Sequence, residues 1–551
     1  MSSPVLRQRE REQAAEFRRL SQEWGGPLAF RLNGDPPAKR TALLAGLGSV
    51  NGIGIELALL KGLELAGFEP VVVTRRDPWL EKYYRLAGVR TILYWDAMCP
   101  PISERHASRC LDGVQSLEAF LALEFSGTRV GRLSASTAIR ELRVGSLEWD
   151  TPEVQRRLRR SLADGTSAAL GAQRIIDTVR PAVALFVDRG YTPQGQLMDA
   201  ALAAGVDCIT WNTAHRSGTL MLKRYTRENR DVHPASLADE SWRLLQSLDW
   251  TDARRDHLAQ ELREVYASGD WYSEAGTQFH KVLMDAEGVR RRFELDPKKK
   301  TAVIFPHILW DETFLMGRDL FRSYEECFVE TVNAAARNNR VNWLIKVHPA
   351  NVVKNVRDGY RGEPAELQSL RRQMRSLPPH IHLIPADSEL NTYSLFNVMD
   401  YCLTVRGTIG VEAASFGIPV LTAGTGRYDR RGFTIDFETR EAYLDRVAHI
   451  EELPALSAAQ RELAQRFAYG VFILRPLMLR TVAIEFRRDA HATLRTRLAI
   501  RSGEEWHRAT DLRAFAQWVS ESQAADYLNP LDADPKAQDH PTDGIAMAEL
   551  R

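Results

Sequence analysis

Lys346-Val347-His348-Pro349 and, about sixty residues on, Arg406-Gly407-Thr408-Ile409-Gly410-Val411-Glu412 are the residues of this chain best suited to chemistry. Each set follows an apolar, β-rich run: Val341–Val347 carries His348 to a strand end, and residues 401–405 lead into Arg406. Open α/β sheets bind ligands at the carboxyl ends of their strands, and Pro349 stops regular structure just past His348. Gly407, Thr408 and Gly410 open a helix that runs on through Glu412. The unpaired N–H groups of such a start, at the positive end of the helix dipole, attract phosphate. Lys346 and Arg406 add cationic charge for a leaving phosphate. Glu412 is placed either for a ribose hydroxyl or as a first-turn glutamate favoured by the dipole. Two such segments at successive strand ends of one domain imply a single pocket for a nucleotide-activated sugar.

Two more polar clusters end strand-like runs in the first half. Asp188-Arg189-Gly190-Tyr191 follows Ala182–Val187, and Asn212-Thr213-Ala214-His215-Arg216-Ser217-Gly218 follows Ile209–Trp211. An acceptor hydroxyl attacking an anomeric carbon with inversion needs a base, and Asp188 and His215 are the candidates. His215 is preferred, because its segment carries more polar groups and a glycine that permits close approach. A retaining route would lean on the leaving phosphate and need no protein base. The loop Gly46-Leu47-Gly48-Ser49-Val50-Asn51-Gly52-Ile53-Gly54 follows the first strand and opens a helix, as a dinucleotide-binding turn does. With Arg75-Arg76 after the second strand to meet a 2′-phosphate, it supports a competing reading as an NADP-binding oxidoreductase. Asn51 stands where that motif wants its last glycine, and Tyr83, Tyr84, Tyr94 and Tyr191 have no lysine four residues on. In the preferred reading Gly48, Ser49, Asn51 and Gly52 touch the acceptor.

The elements that position these groups alternate between strand and helix patterns, which favours parallel βαβ units. Residues 1–38 read as a charged helical leader ending in Asn33-Gly34-Asp35-Pro36-Pro37. Residues 39–224 read as a first Rossmann-like domain, 225–295 as a helical bridging segment, and 296–455 as a second Rossmann-like domain. In the bridging segment Trp242, Leu245, Leu248, Leu258, Leu262 and Tyr266 form one apolar stripe. Helices follow over 456–527, and a polar tail over 528–551 predicts disorder.

A chain of 551 residues exceeds one ordinary core. The near-cancelled charge of +1 gives no general case for nucleic acid. Five scattered cysteines, without close Cys/His grouping, predict reduced thiols and no metal site. No apolar run reaches the roughly 18–20 residues of a membrane span, and the N-terminus lacks an apolar signal core, so a cytosolic location is expected.

The His348-Pro349 pair with the Arg406–Glu412 turn, followed by Gly417-Ile418-Pro419-Val420, resembles the C-terminal half of the bacterial capsule polysaccharide biosynthesis glycosyltransferases. That group includes the Kdo transferases of capsule assembly and, more remotely, the sialyltransferases with a His-Pro motif. The resemblance covers roughly residues 300 to 450. It implies a GT-B fold: two Rossmann-like domains facing across a cleft, closed by a C-terminal helix that crosses back. It further implies a glycosyltransferase without a cofactor, taking a CMP-Kdo-like or UDP-sugar donor and a saccharide or glycolipid acceptor. His348, Pro349, Arg406, Gly407 and Thr408 would hold the phosphate and ribose, and a peripheral membrane or capsule-assembly complex is the implied setting. Relatives often place a serine pair before the glycine, where this chain has Arg406-Gly407-Thr408. A non-catalytic polysaccharide-assembly protein is the remaining alternative.

Overall fold

Alternating β-rich and helical segments fold into two separate, mainly parallel sheets, each sandwiched by helices. The computed structural model describes residues 40–103, 111–272, 281–374, 376–487, 493–499 and 503–530, with a few positions between 11 and 22. Most of the leader expected over 1–38, and the tail beyond residue 530, lie outside the described residues.

The first sheet is built from β1 (Arg40–Ala45), β2 (Phe68–Thr74), β3 (Thr91–Tyr94), β4 (Val183–Phe186), β5 (Asp207–Thr213) and β6 (Thr219–Tyr225), with the short strand Leu477–Met478 beyond β6. From that late strand the order runs through β6, β5, β4, β1 and β2 to β3. Strands β1 to β5 are parallel, and β6 turns back antiparallel to β5 after Gly218, whose φ of +74° suits a residue without Cβ. Helix α1 (Ile53–Leu65) follows β1. The long helix α2 (Pro152–Val179) precedes β4, with Pro152 at its first turn, where a missing N–H costs nothing.

The second sheet comprises β7 (Thr301–Phe305), β8 (Asn342–Lys346), β9 (Ile381–Ile384), β10 (Tyr401–Thr404), β11 (Val420–Thr422) and β12 (Ile435–Asp436). All are parallel, in the order β12-β11-β10-β7-β8-β9. Between the sheets runs helix α3 (Asp252–Ser268), whose Leu258, Leu262 and Tyr266 are buried. Helix α4 (Thr408–Ser415) follows β10. The chain then crosses back. Helix α5 (Ala458–Tyr469) continues as a π-turn over Gly470–Leu474, the Leu477–Met478 strand pairs with β6, and α6 (Thr510–Glu521) packs on α1. The α1–α6 contact is close: a Cβ on Gly62 would stand 2.3 Å from the Phe515 ring. No helix among the described residues is long and apolar enough to cross a membrane.

Candidate active site

In the second sheet β7 lies between β8 and β10, so the loops leaving β7 and β10 diverge and open a crevice at the carboxyl edge. A cavity of about 350 Å³ fills it. His307 from the loop after β7, Lys346, His348 and Pro349 after β8, and Arg406, Gly407, Thr408 and Glu412 after β10 all line it. The structure therefore brings the two polar segments together.

Their roles divide more sharply than residue type indicates. Arg406, only 2% exposed, is a strut: its guanidinium donates to Tyr324 Oη at 2.8 Å and Thr425 O at 2.9 Å and pairs with Asp319. Arg427 carries charge without a carboxylate partner among the described residues. It donates to Thr408 Oγ1 at 2.7 Å and to Arg406 O at 3.2 Å, and it lines the cavity. Helix α4 starts at Gly407 with no side-chain cap among the described residues, and Thr408 and Ile409 of its first turn both line the cavity. Gly410 is not on that wall. A Cβ there would lie 2.2 Å from the Tyr428 hydroxyl, which donates to Gly407 O at 2.8 Å, so Gly410 makes room for the tyrosine that props the turn.

The imidazoles are neutral. Burial, then the nearby Arg406 charge, pushes His307 well below its ordinary range, and its Nε2 accepts the Arg406 N–H at 3.1 Å. Burial, then Lys354 and Lys346, lowers His348 to about 4. Its Nδ1 accepts from Ala350 N at 3.2 Å, which leaves the ring hydrogen on Nε2. Burial, then Lys281, lowers Lys346 to about 7. Burial raises Glu412 to about 8 against the opposing Tyr266 hydroxyl and Arg427, so its carboxyl is protonated at neutral pH. The cavity thus offers a guanidinium without a carboxylate partner among the described residues, the start of a helix and neutral hydrogen-bonding rings, a set suited to phosphate.

The first domain and the link that follows it meet the second domain beside this cavity. Tyr191 Oη donates to Asp311 Oδ1 at 2.8 Å and accepts the Glu312 N–H at 2.9 Å, while His233 N donates to Gly426 O at 2.7 Å. Burial would raise Asp311, but Lys354 and Arg140 outweigh it and bring it to about 2. Glu312 lines the cavity with φ +51°, and burial followed by the Asp311 charge raises its carboxyl. Asp188 stands behind this boundary: it does not line the cavity, its Oδ1 accepts from Gly190 N at 3.0 Å, and Arg140 lies 3.8 Å away.

His215 lies elsewhere. The β5–β6 reversal buries it to 2% exposure beneath α3, with Nε2 2.7 Å from Glu261 Oε1 and the Trp271 and Phe472 rings at 5.5 and 5.1 Å. It does not reach the cavity, and the expected preference for His215 over Asp188 as a base has no geometric support.

The Gly46–Gly54 loop is also off the cavity, so Gly48, Ser49 and Gly52 are not on its wall; the side chain of Asn51 lies outside the described residues. Leu47 N donates to Glu56 Oε1 at 2.5 Å, and Gly54 N to Thr496 Oγ1 at 2.9 Å. A Cβ on Gly54 would lie 2.9 Å from that hydroxyl, so the hairpin Val482–Arg487/Thr493–Leu498 packs directly against this turn.

Sequence reasoning missed Arg427, His233, Lys354, Glu312, Tyr266 and Trp271 as lining residues. Arg427 carried a signal, since it lies in the glycine-rich turn Gly424–Thr434. Tyr266 carried none, since its spacing matched a buried helix stripe.

Two Rossmann-like domains meeting at the carboxyl edges of their sheets, a helical link and a returning C-terminal helix make this a GT-B fold. No protein-family model matches the chain, and no curated protein matches it. Among solved structures it is similar to Thermosulfurimonas dismutans KpsC, a beta Kdo 2,4 transferase, at 14% identity over 54% of this chain and 81% of that one, with a TM-score of 0.33. It is also similar to S. aureus MnaA in a co-structure with UDP, at 13% identity over 79% and 93%, TM-score 0.30. The spinosyn rhamnosyltransferase SpnG complexed with thymidine diphosphate matches at 13% identity over 78% and 96%, TM-score 0.27. At these identities and scores the likenesses assign no residue a role.

Proposed function

We propose that the protein is a glycosyltransferase that moves a sugar from a nucleotide donor, CMP-Kdo-like or a UDP-sugar, to a growing capsular or surface polysaccharide or glycolipid. The observation that carries this is the uncapped start of α4: Thr408 and Ile409 line a cavity at the sheet's switch point beside Arg427, which has no carboxylate partner among the described residues. The donor phosphate sits on those N–H groups, with Arg427 and the His348 Nε2–H taking the charge that develops as the glycosidic oxygen leaves. Glu412, as a neutral acid, donates to a ribose oxygen. The acceptor enters from the first domain, with the Asp188–Tyr191 loop at its side. In an inverting transfer the acceptor oxygen bonds to the anomeric carbon, the bond to phosphate breaks with its electron pair on the nucleotide, and the hydroxyl proton passes to a carboxylate. Glu312 is the carboxylate we assign, with Asp188 behind it. Peripheral attachment at the inner face of a membrane follows for a lipid-linked acceptor.

Thermal unfolding with CMP, UDP, GDP and NADP tests the reading, since a ligand held only by the folded state raises the melting temperature. CMP or UDP is expected to raise it, and His348→Ala to remove most of the rise. A shift with NADP alone overturns the reading.

A further inference from the structure

One wall of the cavity belongs to neither Rossmann-like domain. Tyr266, near the end of α3, and Trp271 and Tyr272 just beyond it line the cavity from the link between the domains. Tyr266 and Trp271 stack at 4.6 Å and 18°, and Tyr272 stands on edge to Trp271 at 5.4 Å and 88°. Three contacts fix this corner in place. Tyr266 Oη donates to Glu412, Asn391 Nδ2 donates to Tyr266 O at 3.0 Å, and Phe472 of the π-turn abuts Trp271 at 5.2 Å. Tyr272 has φ +46°, a left-handed conformation that a bulky residue adopts only under constraint, and its N–H donates to His215 O at 2.8 Å. The buried His215–Glu261 pair therefore anchors this wall.

Order along α4 gives the wall an occupant. Thr408 offers N–H groups for phosphate, and Glu412, four residues on, lies about 6 Å further along the helix axis, the reach from a phosphate to its ribose. Past Glu412, joined to it by the Tyr266 hydroxyl, comes the aromatic corner. We propose that Tyr266, Trp271 and Tyr272 form the stacking site for the donor's nucleobase, so that the interdomain link, not the second domain alone, reads the base. Aromatic faces suit this because every base presents a π-face. The proposal rests on the donor-site reading.

Calorimetric titration of the full chain with CMP, UMP, GMP and ribose 5-phosphate separates the two. The parent is expected to bind at least one of the nucleotides. Trp271→Leu and Tyr272→Ala are each expected to bind it roughly 10- to 100-fold more weakly while holding ribose 5-phosphate as the parent does, which also reports that the variants are folded. Unchanged nucleotide affinity in both variants overturns the stacking site and leaves the donor reading intact. Equal losses for nucleotide and ribose 5-phosphate, at an unchanged melting temperature, overturn it in favour of a wall that only shapes the cavity. No binding of any probe by the parent overturns both.

Discussion

Both domains place a glycine-opened helix after a strand at the switch point of a parallel sheet, and both bury a glutamate about one turn in against a tyrosine hydroxyl. In the first domain the pair is Glu56 and Tyr84, 2.5 Å apart; in the second it is Glu412 and Tyr266. The two sites diverge in who takes the remaining donors. In the first, Glu56 also accepts the Leu47 N–H and Thr496 accepts the Gly54 N–H, so the turn is satisfied from within the chain. In the second no side chain among the described residues caps α4, and its start lines a cavity beside Arg427. A glycine-rich strand–helix turn is an anion site only where the rest of the fold leaves its donors open. That property is tertiary, so a hairpin far along the chain decides it.

The largest expected effect is in the pH dependence. Burial raises Glu56 from 4.5 to about 7 and Glu412 from 4.5 to about 8. The folded protein therefore holds protons that the unfolded chain has released. Each group's contribution is present in full below pH 4.5 and is lost as pH rises through 7 for Glu56 and 8 for Glu412. The span is on the order of 3–5 kcal/mol for each group. Urea midpoints measured across that range should flatten in Glu56→Gln and in Glu412→Gln. Only Glu412→Gln should also change how CMP or UDP affinity varies with pH. An equal effect of both variants on affinity would erase the contrast between the sites.

Next in size is Arg427→Ala, expected to weaken CMP or UDP binding by roughly 10- to 100-fold in calorimetry, the worth of a charged hydrogen bond. An unaltered affinity would move the phosphate elsewhere. Thr408→Pro is subtler. Proline is tolerated at a first helical position, and Gly407 at φ −62°, ψ 152° already has the backbone a following proline requires. The variant should fold, lose one N–H donor together with the hydroxyl that accepts from Arg427, and bind at least about 10-fold more weakly. Smallest is Thr496→Ala, which unsatisfies the Gly54 N–H and should lower stability by about 1 kcal/mol in urea titration while leaving nucleotide affinity alone. A gain in NADP binding by that variant would show the first turn to be an anion site held shut.

The sheets were legible because parallel βαβ units announce themselves locally. Thr41–Ala45, Ala182–Val187 and Val341–Val347 are apolar runs bounded by polar residues, and each lies on a strand. The long helix Pro152–Val179 likewise has a local mark, the proline at its start. Strand β6 and the hairpin Val482–Arg487/Thr493–Leu498 were missed, because return strands break the alternation that identified the others. The same limit governs the site. His348 and Thr408 follow from strand ends and so could be placed by position, whereas Arg427, Tyr266 and Trp271 come from a turn and a link that only packing brings to the cavity. His215 lies off the cavity for a related reason: the strand-end rule assumes a strand that leaves the sheet, and β5 instead doubles back.

The late strand Leu477–Met478 and α6 complete the first domain, with β6 and α1 as their partners. During synthesis this makes the part that emerges first the part that is finished last. Until Leu477–Met478 has emerged, β6 presents an unpaired edge, and until α6 has emerged the Gly62 face of α1 lacks its Phe515 cover, while the second domain already has all its strands. A nascent chain must therefore carry an open, aggregation-prone edge through the making of an entire second domain. Ribosome-bound chains with α6 still inside the exit tunnel, and chains in which a C-terminal extension has carried it out, should differ in protease resistance in the first domain, not in the second.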